Sequence, residues 1–546
     1  MQINSKYCSY DPVQKIWSGR KCTPIYNTDA NLGYLILQKL IQSPQSVFQI
    51  SDNSGIELTD FDIYMRSIKF ANFLIKSGLK QGDVVGLNVS NSENLSSIIF
   101  ACFTLGIAVN PLAIVMDVND ICSIWLKTKP KIIFCDGKIA KKVKSAVDKM
   151  DLDVKIATLI ENVAGFQWID EILEVECDDF EFPDLPNISS TIALILCSSG
   201  TTNSPKCICK SHKQIITNYH PFYEPNLKSQ DIYFLHTVSH WVSYHWFLIT
   251  CALYGMKLVI TTEKGTPELW MDIIDRQQVI VAVCIPQFGS VLLKSKSLRQ
   301  LPSLRIIAVG GTPFTEKLIA DLVPLFPNGS IRCSCGCTES DQLFIMGRED
   351  PKGANSGYPF KNVDVKIIDD AGNTLGPKES GQIYYKTPVP FSCYLDDPES
   401  YKQSFDSLGF IASGDIGYFD EQGRIYVKDR IKHMIKTTGP KSGICTLAPI
   451  ELETIINEIN GVIQSCVVGF FDKHLFYDII YAFVIKDAEE VNLTEEFVMN
   501  YVNTKVIDGK RITGGVYFIE KFPLIPSGKV LSRELKKIAT EINKNK

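Results

Sequence analysis

Short apolar runs alternate with helix-length amphipathic stretches along the first two thirds of the chain. The runs at 84–89, 131–134, 155–160, 192–197, 232–237, 257–262, 279–285 and 305–309 are largely β-branched and show little polar alternation. That pattern predicts strands buried on both faces of a sheet. Between them, 63–78 sets Tyr64, Ile68, Ala71 and Ile75 on one face at helical spacing, and 30–41 and 95–106 also read as helices. Residues 1–50 are expected to hold a polar start and then that single helix. Strands alternating with helices predict parallel sheets joined by crossover helices. From about residue 364 the period changes. The runs 363–368 and 382–386, around a turn at 370–373, predict an antiparallel hairpin or small barrel, with one more strand at 424–427. A charged joint at 428–433 precedes a smaller α+β unit. It holds helices at 449–459, 495–504 and 532–543 and strands at 463–471, 479–485 and 516–520. The fold class expected is α/β. A large N-terminal domain of stacked α/β layers with a small β-barrel would span 1–431, and a small α+β C-terminal domain 432–546.

Bulk properties narrow the function. A chain of 546 residues exceeds one compact core. Net charge of -5 and a pI of 5.9 leave no electrostatic footprint for nucleic acid. No window approaches the length of an apolar membrane span, and the first residues lack the apolar core of a signal peptide. Seventeen cysteines, scattered without a repeated spacing, point to a reducing compartment rather than a disulfide framework. The chain ends Asn543-Lys544-Asn545-Lys546, not in a Ser-Lys-Leu peroxisomal address, so a cytoplasmic location is expected.

Candidate chemistry centres on 191–210. The apolar run is followed by Ser198, Ser199, Gly200, Thr201 and Thr202, then Pro205 and Lys206. Backbone N–H groups, hydroxyls and a terminal cation can wrap phosphate oxygens. Downstream, Gly310-Gly311-Thr312 follows a strand and permits close backbone approach to a flat ligand. Thr338 beside Glu339 suits Mg²⁺ on a triphosphate, since Mg²⁺ takes a few hard oxygens plus phosphates. Asp415, in Ser413-Gly414-Asp415, can accept from both ribose hydroxyls. Cys333, Cys335 and Cys337 alternate, but C-x-C-x-C is not the paired spacing of a zinc ribbon.

These blocks together resemble the adenylate-forming enzymes, which include acyl- and aryl-CoA ligases, beetle luciferases and peptide-synthetase adenylation domains. Ser198–Lys206 resembles their phosphate loop, with Asn203 and Cys207 where glycines are usual. Gly336-Cys337-Thr338-Glu339 resembles their G-x-T-E block, with Cys335 in place of the aromatic that lies against adenine. Asp429-Arg430-Ile431-Lys432 resembles the hinge block, and the run from Pro523 to Lys529 the C-terminal lysine block. The resemblance implies nucleotide contacts from the phosphate loop, Gly310, Gly311, Thr312, Cys335, Gly336, Asp415 and Arg430. It implies a hinge at Lys432, about which the C-terminal domain swings as a lid. It implies that Lys529 stabilises charge as a carboxylate attacks the α-phosphate. His240, in Ser239-His240-Trp241, aligns with a histidine by the acyl carboxylate. Phe288 and Leu343 are candidates for the acyl pocket. Lys436 and Gly439 are candidates for the thiol channel, whose segment 437–449 runs several residues longer than usual.

The activity so implied joins a carboxylic acid to AMP from ATP with Mg²⁺, then passes the acyl group to coenzyme A. Two alternatives stand beside it. One is a luciferase-like monooxygenase acting on an adenylated luciferin. The other is a degenerate member that binds nucleotide or acyl groups with little turnover.

Overall fold

The apolar runs pair into two large sheets in a computed structural model that describes residues 7–174, 180–198, 205–219, 227–263, 265–311, 316–341, 344–345, 356–472, 475–488, 490–524 and 530–544. In the first sheet, strands Ile192–Ser198, Ala108–Pro111, Val84–Asn88, Ile132–Asp136, Lys155–Leu159 and Gln167–Trp168 lie parallel in that order. Val84–Asn88 and Ile132–Asp136 are buried at every residue, which explains why neither alternates with polar positions. In the second sheet, Val47–Ser51, Lys257–Ile260, Ile232–Phe234, Val281–Cys284, Ile306–Gly310 and Ser330–Cys335 are parallel. Helices Leu32–Leu40, Leu95–Thr104 and Val242–Tyr254 pack into one apolar cluster with side chains of both sheets. Leu95–Thr104 is buried along its whole length, as a helix apolar on every side must be.

Past Cys335 the second sheet turns antiparallel. Phe344–Ile345 and Ser356–Pro359 hand it on to the antiparallel strands Ile425–Arg430, Ile411–Phe419, Gly381–Lys386 and Asp364–Ile368, which continue the sheet in an open order rather than the small barrel expected. The hairpin expected around 370–373 is therefore present, with Asp364 opposite Lys386.

Two further expectations are corrected. Residues 1–50 are not a polar start with one helix: Cys8–Asp11 and Ile16–Gly19 form a hairpin that pairs with Asp364–Ile368, and Val47–Ser51 is a sheet strand. Buried Trp17 holds the hairpin in place, its ring stacked 4.7 Å from Phe419. The run at 192–197 is also not an all-parallel strand. Its other edge pairs antiparallel with Lys206–Ser211, Ser198 opposite Lys206, so the hydroxyl-rich segment connects a hairpin.

In the C-terminal domain, Val462–Asp472 and Tyr477–Lys486 pair antiparallel and Gly515–Phe518 adds in parallel. Helices Pro449–Asn457, Glu495–Lys505 and Ser532–Lys544 accompany this sheet, which has apolar clusters of its own. Among the described residues no helix is long and apolar enough to cross a membrane.

Candidate active site

The carboxyl ends of parallel strands gather the candidate residues, the usual place for a ligand in an α/β sheet. Ser198, Gly310 and Cys335 each end such a strand. Gly310 sits opposite Ser334, and a Cβ there would lie 2.7 Å from the Ser334 carbonyl oxygen. Gly311 has φ +96°, in the left-handed region that favours glycine. Trp241 Cζ3 is 3.9 Å from where a Gly311 Cβ would be, which brings the His240 segment to this turn.

The turn carrying Thr338 and Glu339 is closed on itself. The Cys337 N–H donates to Ser340 Oγ at 3.1 Å and the Asp341 N–H to the Cys337 carbonyl at 2.9 Å. Asp341 then anchors the turn to strand Lys206–Ser211 and the helix that follows it. Lys210 Nζ reaches Asp341 Oδ1 at 2.7 Å, with both side chains buried. Tyr219 OH donates to the same oxygen at 3.1 Å and Gln214 Nε2 to the other at 3.4 Å. Burial pushes the Asp341 carboxyl up, and Lys210, Tyr219 and Gln214 work against that shift.

A second link runs through Tyr394. Its ring lies under Lys206 Nζ, 4.4 Å from the centroid, and its hydroxyl donates to Glu339 Oε1 at 2.9 Å. One aromatic side chain thus joins the loop cation to the candidate metal-site carboxylate. Opposite them, Asp415 and Arg430 are direct cross-strand partners, with Nε 2.8 Å from Oδ1. Burial raises the Asp415 carboxyl against the pull of Arg430 and Ser413. Burial alone would lower the Arg430 guanidinium, but the charges of Asp415, Cys337, Cys335 and Glu339 raise it above its ordinary value, so these groups share one electrostatic neighbourhood. Lys432 belongs to it as well: desolvation, then the Arg430 and Lys206 charges, lower its ammonium. Three cations and two carboxylates that influence one another in this way form a setting that a polyanion with a bound cation would relieve.

His240 lies against Trp241, ring centroids 6.5 Å apart, and its Nε2 is buried with no hydrogen-bond partner among the described residues. Burial lowers its pKa to about 4, so the imidazole is neutral at pH 7. Phe288 packs on His236 and Trp270 at 5.3 and 5.6 Å. Gly336 is exposed beside Cys335. Most of 437–449 lies in the antiparallel strands Ile435–Gly439 and Gly443–Leu447, joined by a short turn at 440–442. That turn docks inside its own domain: the Lys441 N–H donates to Asp508 Oδ2 at 2.7 Å and the Gly509 N–H to Ser442 Oγ at 3.0 Å. A Cβ on Gly439 would sit 2.5 Å from Gly509 N, so the glycine permits this contact. Lys436 is exposed, and its N–H donates to Asp478 Oδ2 at 2.7 Å. Ser199, Gly200, Thr201, Thr202, Thr312, Leu343 and Lys529 lie outside the described residues. Next to Lys529, Val530 pairs with Leu524.

Thr338 and Glu339 fit a hard divalent cation that takes most of its oxygens from phosphate and water. Of the alternating cysteines, Cys333 belongs to one apolar cluster, while Cys335 and Cys337 pack against another. Lys210, Asp341 and Tyr394 escaped the sequence reading. A lysine inside the apolar strand Lys206–Ser211 was the available signal, because a charge in such a run needs a buried partner.

Comparison with known proteins places the chain in a family. Residues 40–395 match the family model of the AMP-binding enzymes, and 451–529 match that of the AMP-binding enzyme C-terminal domain. A 4-coumarate–CoA ligase of Humulus lupulus is 26% identical over 527 residues, covering 90% of this chain and 91% of its own. A luciferin 4-monooxygenase of Nipponoluciola cruciata is 26% identical over 502 residues, covering 89% and 90%. Among solved structures, ATP-bound MatB from Rhodopseudomonas palustris superposes with TM-score 0.82 at 20% identity, over 94% of this chain and all of that one. With the fold, the strand-end site and both family models in agreement, the chain belongs to the AMP-binding, adenylate-forming enzymes.

Proposed function

We propose that this protein is an AMP-forming acid–thiol ligase that activates a fatty or aryl carboxylic acid and transfers it to coenzyme A. The observation that carries the reading is that Tyr394 ties Lys206 to Glu339, while Arg430, paired with Asp415, feels the Glu339 charge. In the first half-reaction a carboxylate oxygen attacks the α-phosphorus of ATP and pyrophosphate leaves. Lys206 and the phosphate loop would hold the β- and γ-phosphates, and Asp415 would accept from the ribose hydroxyls. Arg430 and Lys529 would offset the charge that builds on the transferring phosphate. A divalent cation bound at Thr338 and Glu339 would supply further charge neutralisation. Neutral His240 would lie beside the acyl carboxylate without repelling or protonating it. In the second half-reaction a rotation about Lys432 of the lid, residues 432–546, would bring the thiol in along the channel bordered by Lys436 and Gly439. The thiolate would attack the acyl carbonyl and AMP would leave.

The test is pyrophosphate release from ATP and Mg²⁺ over a panel of fatty acids and cinnamates, with and without coenzyme A. Release that depends on the acid and turns over only with coenzyme A supports the ligase. A single turnover in both conditions removes the thioester step. Light emission with ATP and a luciferin replaces that step with oxygenation. The Lys529→Ala variant is expected to slow adenylation by ~10²-fold, the scale of one lost transition-state donor. An unchanged rate takes Lys529 out of the mechanism.

A further inference from the structure

Four cysteines flank the phosphate-loop hairpin as two cross-strand pairs. Cys197 faces Cys207 with sulfurs 3.6 Å apart, and Cys209 faces Cys393 on the neighbouring strand Cys393–Tyr394. All four pack against one apolar cluster. Among the described residues no group of cysteine, histidine and carboxylate side chains is arranged to hold a metal ion, so these thiols are not read as a metal site. Cys207 and Cys209 are buried, while Cys393 is half-buried and within reach of a small reagent.

The second pair sets a half-buried cysteine across from a buried one. The neighbouring Cys209 thiol lowers Cys393 to about 7, with burial and the Asp396 carboxylate acting the other way. The Cys393 thiol raises Cys209 in turn, and burial adds to the rise. The half-buried sulfur is thus favoured as the thiolate and its buried neighbour as the thiol. That is the order of an attacking and a resolving cysteine. The backbone keeps them in register: the Ser392 N–H donates to the Cys209 carbonyl and the Leu395 N–H to the Cys207 carbonyl, each at 2.8 Å.

We propose that Cys393 and Cys209 form a thiol–disulfide exchange site that takes a low-molecular-weight disulfide such as glutathione disulfide. The Cys393 thiolate attacks one sulfur of the reagent. The reagent's S–S bond breaks, a mixed disulfide forms on Cys393, and one glutathione thiol leaves. Cys209 then gives up its proton and attacks the Cys393 sulfur, and the second glutathione thiol leaves. Two protein thiols are oxidised and one small disulfide is reduced to two thiols. Disulfide formation brings sulfurs to about 2.05 Å, closer than any non-bonded contact. The residue that moves with Cys393 is Tyr394, which supports Lys206 and Glu339. Oxidation therefore acts on the nucleotide site and is expected to raise the KM for ATP severalfold.

The experiment incubates the reduced full-length protein with glutathione disulfide, quenches with acid and reads intact and peptide masses. The expected product is two hydrogens lighter than the reduced chain and yields a linked peptide holding Cys209 and Cys393. Cys209→Ser should stop at a glutathione adduct on Cys393. Cys393→Ser should give neither product, with ATP-dependent activity retained. A measurement on the unaltered protein guards against misfolded variants: alkylation by iodoacetamide should reach Cys393 before the other buried and half-buried cysteines, at a rate half-maximal near pH 7. The proposal is overturned if glutathione goes first to other cysteines, if the linked peptide joins a different pair, or if Cys393 alkylates no faster than the rest.

Discussion

Replacing Lys210 with methionine strands Asp341 in the interior, and the size of the penalty follows from how that carboxylate can escape. Lys210 is completely buried and Asp341 is 5% exposed, so water cannot substitute for the lost ammonium. Tyr219 and Gln214 remain as donors, but neither carries charge. A broken buried pair costs about 3–5 kcal/mol. Protonation sets an upper limit. An aspartate kept neutral at pH 7 against an unfolded value of 3.8 costs about 4 kcal/mol, at 1.36 kcal/mol per unit. The sign follows from linkage. In Lys210→Met the folded pKa of Asp341 lies above the unfolded one, so the penalty grows as pH rises and shrinks as pH falls. At pH 5 it should drop to about 2 kcal/mol. Asp341→Asn leaves Lys210 unpaired and reverses the dependence, its deficit shrinking as pH rises. Asparagine also tolerates φ +67° at this position. The double variant removes both charges and should recover most of the loss. Urea unfolding of the four proteins at pH 5, 7 and 8.5 reads all of these. If the double variant is no more stable than the worse single one, or if the deficit of Lys210→Met does not change with pH, the pair does not hold the turn as described.

Tyr394→Phe keeps the ring under Lys206 but deletes the hydrogen bond to Glu339. A hydrogen bond to a charged group contributes about 1.5–3 kcal/mol, so adenylation should slow by roughly tenfold or more. Steady-state kinetics with varied ATP checks this, and wild-type parameters would remove Tyr394 from the site. His240 is held neutral, with a folded pKa of about 4 against 6.5 when unfolded. Its contribution is complete above pH 6.5 and is lost as pH falls towards 4. His240→Gln should therefore gain about 1 kcal/mol on the wild type between pH 7.5 and 5.5, read from urea midpoints, and parallel curves would contradict the burial argument. Gly310→Ala drives a methyl against the Ser334 carbonyl and should cost about 1–3 kcal/mol. An unchanged melting temperature would mean the strands can part freely.

The legible parts of the sequence are those whose pattern is local. Strands such as Val84–Asn88 and Ile132–Asp136 declare themselves because burial on both faces forbids polar alternation. Pro449–Asn457 and Glu495–Lys505 also lie close to their expected spans. The hairpin Cys8–Asp11 and Ile16–Gly19 was not legible, since its partner strand lies far downstream and its main anchor is one buried tryptophan. Thr338, Glu339, Asp415 and Arg430 stand out because short motifs place them, and the structure brings Glu339, Asp415 and Arg430 into one electrostatic neighbourhood.

What the sequence determined by itself is therefore chemistry and order: a hydroxyl-rich loop ending in Lys206, a Thr-Glu turn, an Asp415 turn and a charged joint, set between strands of predictable period. Tertiary structure alone decided which side chains bind these blocks to one another. Lys210 meets Asp341, and Tyr394 spans Lys206 and Glu339, across separations over which no periodicity carries information. The physical reason is that a buried charge must find its partner wherever packing brings one, and packing is a property of the assembled sheets rather than of any segment.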